Sequence, residues 1–139
     1  MKIKDVMTKE VDLIEPNAKI IEAARRMRDD DIGALPVGEG DKLIGIVTDR
    51  DFVVRVLADG KDPRSTSVRE VMSGHVLYCY DDQSTAEVSA NMGEKHVRRL
   101  PVLNRKKRLV GIVSLGDLSA GGATREAGIA LGQISAAAH

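Results

Sequence analysis

Aromatic residues are nearly missing from this chain of 139: there is no tryptophan, one phenylalanine (Phe52) and two tyrosines (Tyr78, Tyr80). A flat base bound here has to be gripped by aliphatic side chains and backbone, because stacking platforms are scarce. Cysteine is reduced to Cys79, which excludes an intramolecular disulfide and fits a reducing, cytoplasmic setting. Net charge is absent as well, since 21 basic side chains balance 21 acidic ones. That removes the basic footprint on which non-specific nucleic-acid or membrane-surface binding depends. No apolar run approaches the ~20 residues of a membrane span. The stretch MKIKDVMTKEVD carries acids and no long apolar run, unlike a secretory signal. Neither a nucleic acid nor a membrane is therefore expected as a partner. What remains is the composition of a soluble globular chain, 42% apolar and 30% charged, long enough to bury roughly 70% of its unfolded surface.

The chain is written twice. At an offset of 65, Val6-Met7 falls on Val71-Met72, Val11 on Val76, Glu22 on Glu87 and Met27 on Met92. Leu35-Pro36-Val37 likewise falls on Leu100-Pro101-Val102. One extra residue in the KKR stretch moves the offset to 66, after which Leu43 meets Leu109 and Gly45-Ile46-Val47 meets Gly111-Ile112-Val113. Thr48 then meets Ser114, and Asp51 meets Asp117. A single slip in a charged turn is what two diverged copies leave behind.

Each copy predicts the same elements. A short helix carries Val6-Met7 or Val71-Met72, and a short strand follows at 11–14 or 76–79. An amphipathic helix over 18–30 places Ile20, Ala23, Ala24 and Met27 on one face, with Asn17 as its N-cap. Its partner covers about 83 to 95 with Asp82 in the capping position. Two strands follow, GALPV and KLIGIVT, joined by GEGD; in the second copy RRLPV and RLVGIVS are joined by NRKK. Both pairs read as hairpins. A last helix begins near Asp49 or Leu115.

One β-α-β-β-α unit of about 60 residues is marginal by itself, so two copies packed sheet against sheet are expected as one module. The division is residues 1–60 for the first repeat, 61–68 for the linker and 69–119 for the second repeat. The linker is marked by LADGKDPRSTS (57–67) with its glycine and proline. A tail over 120–139 is rich in small residues and weakly helical from about 124 to 136.

The duplicated pattern A-L-P-V or R-L-P-V, then G-I-V-T/S-x-x-D, resembles a pair of cystathionine β-synthase (CBS) domains, a Bateman module. The similarity covers residues 2 to 118 and is specific because two copies carry it in register. With no catalytic domain attached, the chain is most similar to small stand-alone bacterial CBS pairs. The resemblance implies an α/β fold, a tandem CBS repeat (β-α-β-β-α twice) packed as one pseudo-two-fold-symmetric module. It also implies regulation without catalysis, a homodimer, and two clefts that take adenosine-type ligands: AMP, ADP or ATP, with S-adenosylmethionine or NAD as further options. Carried over by position, one cleft would use Ile112, Ser114 and Asp117 with Met7, Asp12 and Ile32-Gly33. The other would use Ile46, Thr48, Arg50 and Asp51 with Met72, Leu77 and Val97-Arg98.

The residues themselves admit two readings. Thr48-x-x-Asp51 and Ser114-x-x-Asp117 have capping-box form, worth on the order of 1 kcal/mol with no ligand at all. Three further features favour a nucleotide. Gly45 and Gly111 sit inside apolar strands, where glycine often marks the close approach of another backbone or of a ligand. A helix N-terminus suits phosphate and the acid suits ribose hydroxyls. Arg98 and Arg99 stand beside the G-I-V-S strand with the fork geometry that phosphate prefers; their plainer role is a solvated edge or an ion pair to Glu94 or Asp117. Where the second repeat has Arg98-Arg99 the first has Gly33-Ala34, so unequal affinity of the two sites is expected. A ligand-free dimerisation scaffold stays open as the alternative function. No nucleophile–base pair emerges, and His75, Cys79 and His96 lack a common zinc spacing, so neither an enzyme nor a metal site is expected. Recurring Met27 and Met92 read as core filler, and ARRMR followed by three aspartates reads as a solvated helix face.

Overall fold

Leu35 lies opposite Val47 and Leu100 opposite Val113 in two antiparallel hairpins whose residues match across the repeat. These hairpins anchor the computed structural model of the chain, which describes residues 1–9 and 11–137; the last two residues of the expected tail lie outside that set. The first hairpin pairs β1 (Ala34–Glu39) with β2 (Lys42–Thr48), and the second pairs β4 (Arg99–Leu103) with β5 (Leu109–Ser114). Both carry a register irregularity at matched places, between Val37 and Gly38 and between Val102 and Leu103. The strand expected at 76–79 forms later and shorter, as β3 (Cys79–Tyr80), parallel to β4. Its counterpart at 11–14 shrinks to a single parallel bridge from Ile14 to Val37.

The residues divide into two compact units, Asp12–Val76 and Met1–Val11 with Leu77–His139. The unit of 12–76 holds α1 (Ile20–Asp30), the first hairpin, α2 (Asp49–Asp51) running on as a π-helical stretch (Phe52–Leu57), and α3 (Val68–Val71). A lone two-stranded hairpin is marginal in water. Here Leu35, Val37 and Val47 are covered by Ile20, Ala23 and Met27 of α1 and by Val68 and Val71 of α3, all fully or almost fully buried. The other unit holds a 3-10 turn (Ile3–Asp5), β3, α4 (Thr85–Lys95), the second hairpin, α5 (Leu115–Ala120) and α6 (Thr124–Ala137). Its core joins Ile3, Val88, Met92, Leu100, Val113 and Leu118. The segment carrying Met7 thus packs on the second repeat, and the segment carrying Met72 packs on the first.

The helix starts differ from the capping expected of the sequence. Residue 17 is not the cap of α1; Lys19 holds that place and makes no side-chain cap bond. None is required, because the free N–H groups of Ile20 and Ile21 donate to the carbonyls of Thr66 and Pro63, at 3.0 Å each. For α4 the cap is Ser84, whose hydroxyl accepts from the Glu87 N–H, and not Asp82. Both helices stop at a left-handed residue, Asp31 (φ 53°) and His96 (φ 57°). The next N–H then turns back to the Met27 or Met92 carbonyl, as left-handed C-caps do. The tail forms a 14-residue helix, α6, which buries Ala127, Ala130 and Ile134 in the core beside α4 and α5.

Candidate functional site

In both units β2 or β5 ends in a hydroxyl residue that caps the following turn. Thr48 Oγ1 accepts from the Asp51 N–H at 3.2 Å, while Asp51 Oδ2 accepts from the Thr48 N–H at 2.8 Å. Ser114 and Asp117 repeat this at 3.0 and 2.9 Å. Each box is closed, and each acid is half-buried with one oxygen engaged. The second oxygens differ. Asp51 Oδ1 lies 3.9 Å from Nε of Arg55, whose Nη1 donates to the Val71 carbonyl at 3.1 Å. Asp117 Oδ1 has no partner among the described residues, and the position matching Arg55 is Gly121.

The glycines have a structural cause. A Cβ on Gly45 would meet Met72 Sδ at 2.7 Å and the Ser73 carbonyl at 2.9 Å; on Gly111 it would meet Met7 Sδ at 2.7 Å and the Thr8 carbonyl at 2.8 Å. Ser73 bridges Ile46, and Thr8 bridges Ile112, each through two backbone hydrogen bonds. Of the two possibilities raised by a strand glycine, close approach of another backbone is the one realised. Met7 and Met72 are half-buried, each laid over its glycine.

Arg99 pairs with Ser114 across the hairpin, and the Arg98 carbonyl accepts the Leu115 N–H at 3.1 Å. Both guanidinium groups are exposed and form no ion pair among the described residues, so the expected alternative of a bridge to Glu94 or Asp117 is not formed. Gly33 and Ala34 hold the equivalent places in the first repeat, with the Gly33 carbonyl accepting the Asp49 N–H at 3.0 Å. Asp49 itself escaped the sequence reading. Its Oδ1 accepts from the Arg50 N–H at 2.9 Å, and its Oδ2 would lie 3.1 Å from a Cβ on Gly33. Comparing the copies could have exposed it, since the matching residue is Leu115.

The unit of 12–76 therefore gathers Gly45, Ile46, Thr48, Arg50, Asp51 and Met72. The other gathers Met7, Arg98, Arg99, Gly111, Ile112, Ser114 and Asp117. Asp12 and Ile32-Gly33, which the resemblance assigns to the Asp117 cleft, lie in the first of these units. Exposed Leu77 with Val97-Arg98, which it assigns to the Asp51 cleft, lies in the second. Within each unit Gly33 therefore neighbours the Asp51 motif and Arg98 the Asp117 motif, because each hairpin pairs a motif with its own repeat. Asp12 hydrogen-bonds the Asp30 carboxyl, which pushes the latter's pKa above the usual aspartate range. Cys79 is buried in β3, and burial pushes its thiol up to about 12; such a thiol is not a nucleophile at neutral pH. Among the described residues no three of His, Cys, Asp and Glu converge to hold a metal ion, and no helix is long and apolar enough to cross a membrane.

Comparison with known proteins agrees with this duplicated architecture. The CBS-domain family model matches residues 3–58 and 68–121, and the chain belongs to that family as a tandem pair. It is 42% identical over 134 residues to the CBS domain-containing protein YhcV of Bacillus subtilis, covering 96% of this chain and 94% of that one. It is 38% identical over 117 residues to hypoxic response protein 1 of Mycobacterium tuberculosis, covering 84% and 81%. Among solved structures, Hypoxic Response Protein I with two coordinated zinc ions superposes with a TM-score of 0.77 at 37% identity, over 86% of this chain and 98% of that one. The CBS domain pair of protein MJ0100, in complex with 5-methylthioadenosine and S-adenosyl-L-methionine, gives 0.77 at 28% identity, over 90% and 98%.

Proposed function

We propose that this chain is a cytoplasmic regulatory module that binds an adenosine-type ligand at its Thr48–Asp51 and Ser114–Asp117 motifs and passes occupancy on through a homodimer, without catalysing a reaction. The observation that carries the reading is the state of Asp117. One carboxylate oxygen closes the capping box and the other is left without a partner among the described residues, beside the exposed pair Arg98 and Arg99. A carboxylate held this way can accept from two ribose hydroxyls, and arginine suits a phosphate. Ile112 and Met7 are half-buried nearby in the same unit and supply the aliphatic wall an adenine requires where aromatics are scarce. The adenosine ligands of the MJ0100 pair support the ligand class; AMP, ADP, ATP, S-adenosylmethionine and NAD are the compounds to screen.

Dimerisation is supported by an apolar groove of about 270 Å³ in the unit of 12–76, lined by Ile21, Ala24, Phe52, Val53 and Leu57. Val53 and Leu57 are 57% and 75% exposed. In the other unit the helix pair at the matching place, α4 and α5, is covered by α6. A second copy would cover the open one. Leu57→Glu should lower the mass measured by light scattering to that of one chain.

The scaffold reading retains one specific observation: the closed boxes and methionine-packed glycines account for the G-I-V-T/S-x-x-D repeat without any ligand. A melting screen separates the two. A sensor gains RT ln(1 + [L]/Kd), about 2.7 kcal/mol at a hundredfold excess over Kd, and Asp51→Ala with Asp117→Ala loses that gain. A scaffold shows no shift with any of the compounds at millimolar concentration.

A further inference from the structure

The two motifs are not electrostatic equals. In the unit of 12–76 the Asp49 carboxylate already sits on the Arg50 N–H and against Gly33, a place where an incoming anion would find a fixed negative charge. Asp51 adds a second carboxylate. Of the two nearby arginines, Arg55 is tied to the Val71 carbonyl and to Asp51. That pair offsets Asp51, while exposed Arg50 forms no ion pair with Asp49 among the described residues. The strand beside them offers no cation, since Gly33 and Ala34 stand there. In the other unit every one of these terms reverses. Leu115 replaces Asp49, Arg98 and Arg99 replace Gly33 and Ala34, and Asp117 is the one acid in the motif.

We infer that Asp49 is a specificity-determining residue: the Thr48–Asp51 site takes adenosine compounds whose 5′ group is uncharged or cationic, while the Ser114–Asp117 site takes phosphorylated ones. This rests on the reading of both motifs as adenosine sites and adds the charge selection between them. Like charges held close repel even where, as at Asp49, the carboxylate is exposed, whereas a sulfonium or a neutral thioether meets no such penalty from Asp49.

Titration calorimetry with 5′-AMP, ATP, adenosine, 5′-methylthioadenosine and S-adenosylmethionine tests this on the full chain. In Asp117→Ala, adenosine, methylthioadenosine and S-adenosylmethionine should still bind, with AMP and ATP at least tenfold weaker than adenosine. Adding Asp49→Asn, which keeps an acceptor for the Arg50 N–H on an exposed side chain, should tighten AMP about tenfold. In Asp51→Ala, AMP and ATP binding should persist and be lost on changing Arg98 and Arg99 to Gln. Melting midpoints confirm folding, and Asp117→Asn replaces the Ala variant if that one does not fold. The inference is overturned if Asp117→Ala binds AMP as well as adenosine, if it binds no adenosine compound, or if Asp49→Asn changes nothing. Wild-type protein that binds none of the five overturns the parent reading and this one with it.

Discussion

The Met72 thioether lies where a side chain on Gly45 would have to go, with the virtual Cβ 2.7 Å from its sulfur. Gly45→Ala should therefore overpack the bridge between Ile46 and Ser73 and cost about 1–3 kcal/mol, as should Gly111→Ala against Met7 and Thr8. Gly128→Ala, inside α6 with nothing within 4 Å of its virtual Cβ, should instead gain about 0.5–1 kcal/mol. Urea denaturation midpoints of the three variants check the opposite signs.

Deleting side-chain volume under α6 should be costly. Ile134 is 7% exposed and belongs to the same core as Val88, Met92 and Leu118, so Ile134→Ala is expected to lose about 2–5 kcal/mol. If α6 were loosely attached, the same change would leave the unfolding midpoint within a few tenths of a kcal/mol.

Cys79 should behave as an inert core residue. With its thiol pushed up to about 12 by burial first and by the Asp81 charge second, it should resist alkylation by iodoacetamide at pH 8. Reaction should appear on adding enough urea to unfold the chain. Rapid labelling of the folded protein would contradict its burial.

Two exposed aspartates should give pH profiles of opposite sign. The Arg105 guanidinium bonds both oxygens of Asp82 at 2.8 Å and stacks over Tyr80, holding the Asp82 carboxyl below the usual range, chiefly through that hydrogen bond. Its contribution is present above the ordinary aspartate pKa of about 3.9 and is lost as the pH falls through the lowered value. Arg105→Gln should thus lower the melting temperature at neutral pH, with the gap closing in acid. Asp30, raised by its bond to Asp12, stabilises below the ordinary value and loses that contribution as the pH rises through its own. Asp30→Asn should raise the melting temperature at neutral pH, and this gain should vanish in acid.

Much of the fold was legible because the repeat is local in register. Strand alternation and turn chemistry placed both hairpins, and the hydroxyl–acid spacing located both capping boxes. The start of α1 was not legible from residue 17, since its free N–H groups are met by Thr66 and Pro63, a pairing more than forty residues distant in sequence. The left-handed ends at Asp31 and His96 were not legible because neither is glycine, the residue that usually marks such an end. A strand glycine signals close approach without saying of what; at Gly45 and Gly111 the neighbour is the protein's own Met–Ser or Met–Thr segment. Asp49 is not legible from either motif alone, since the capping box needs only the ends of T-D-R-D and S-L-G-D; it stands out only where the middle residues of the two copies differ.

Because residues 1–9 fasten onto the second repeat and α3 with Met72 onto the first, neither half of the gene product can be severed cleanly at the linker. A fragment ending at residue 67 would surrender the strap that closes its own hairpin while keeping an arm that fits only its missing twin. Splitting the chain in that way invites exchange between copies, with each fragment borrowing from another what its own sequence no longer supplies.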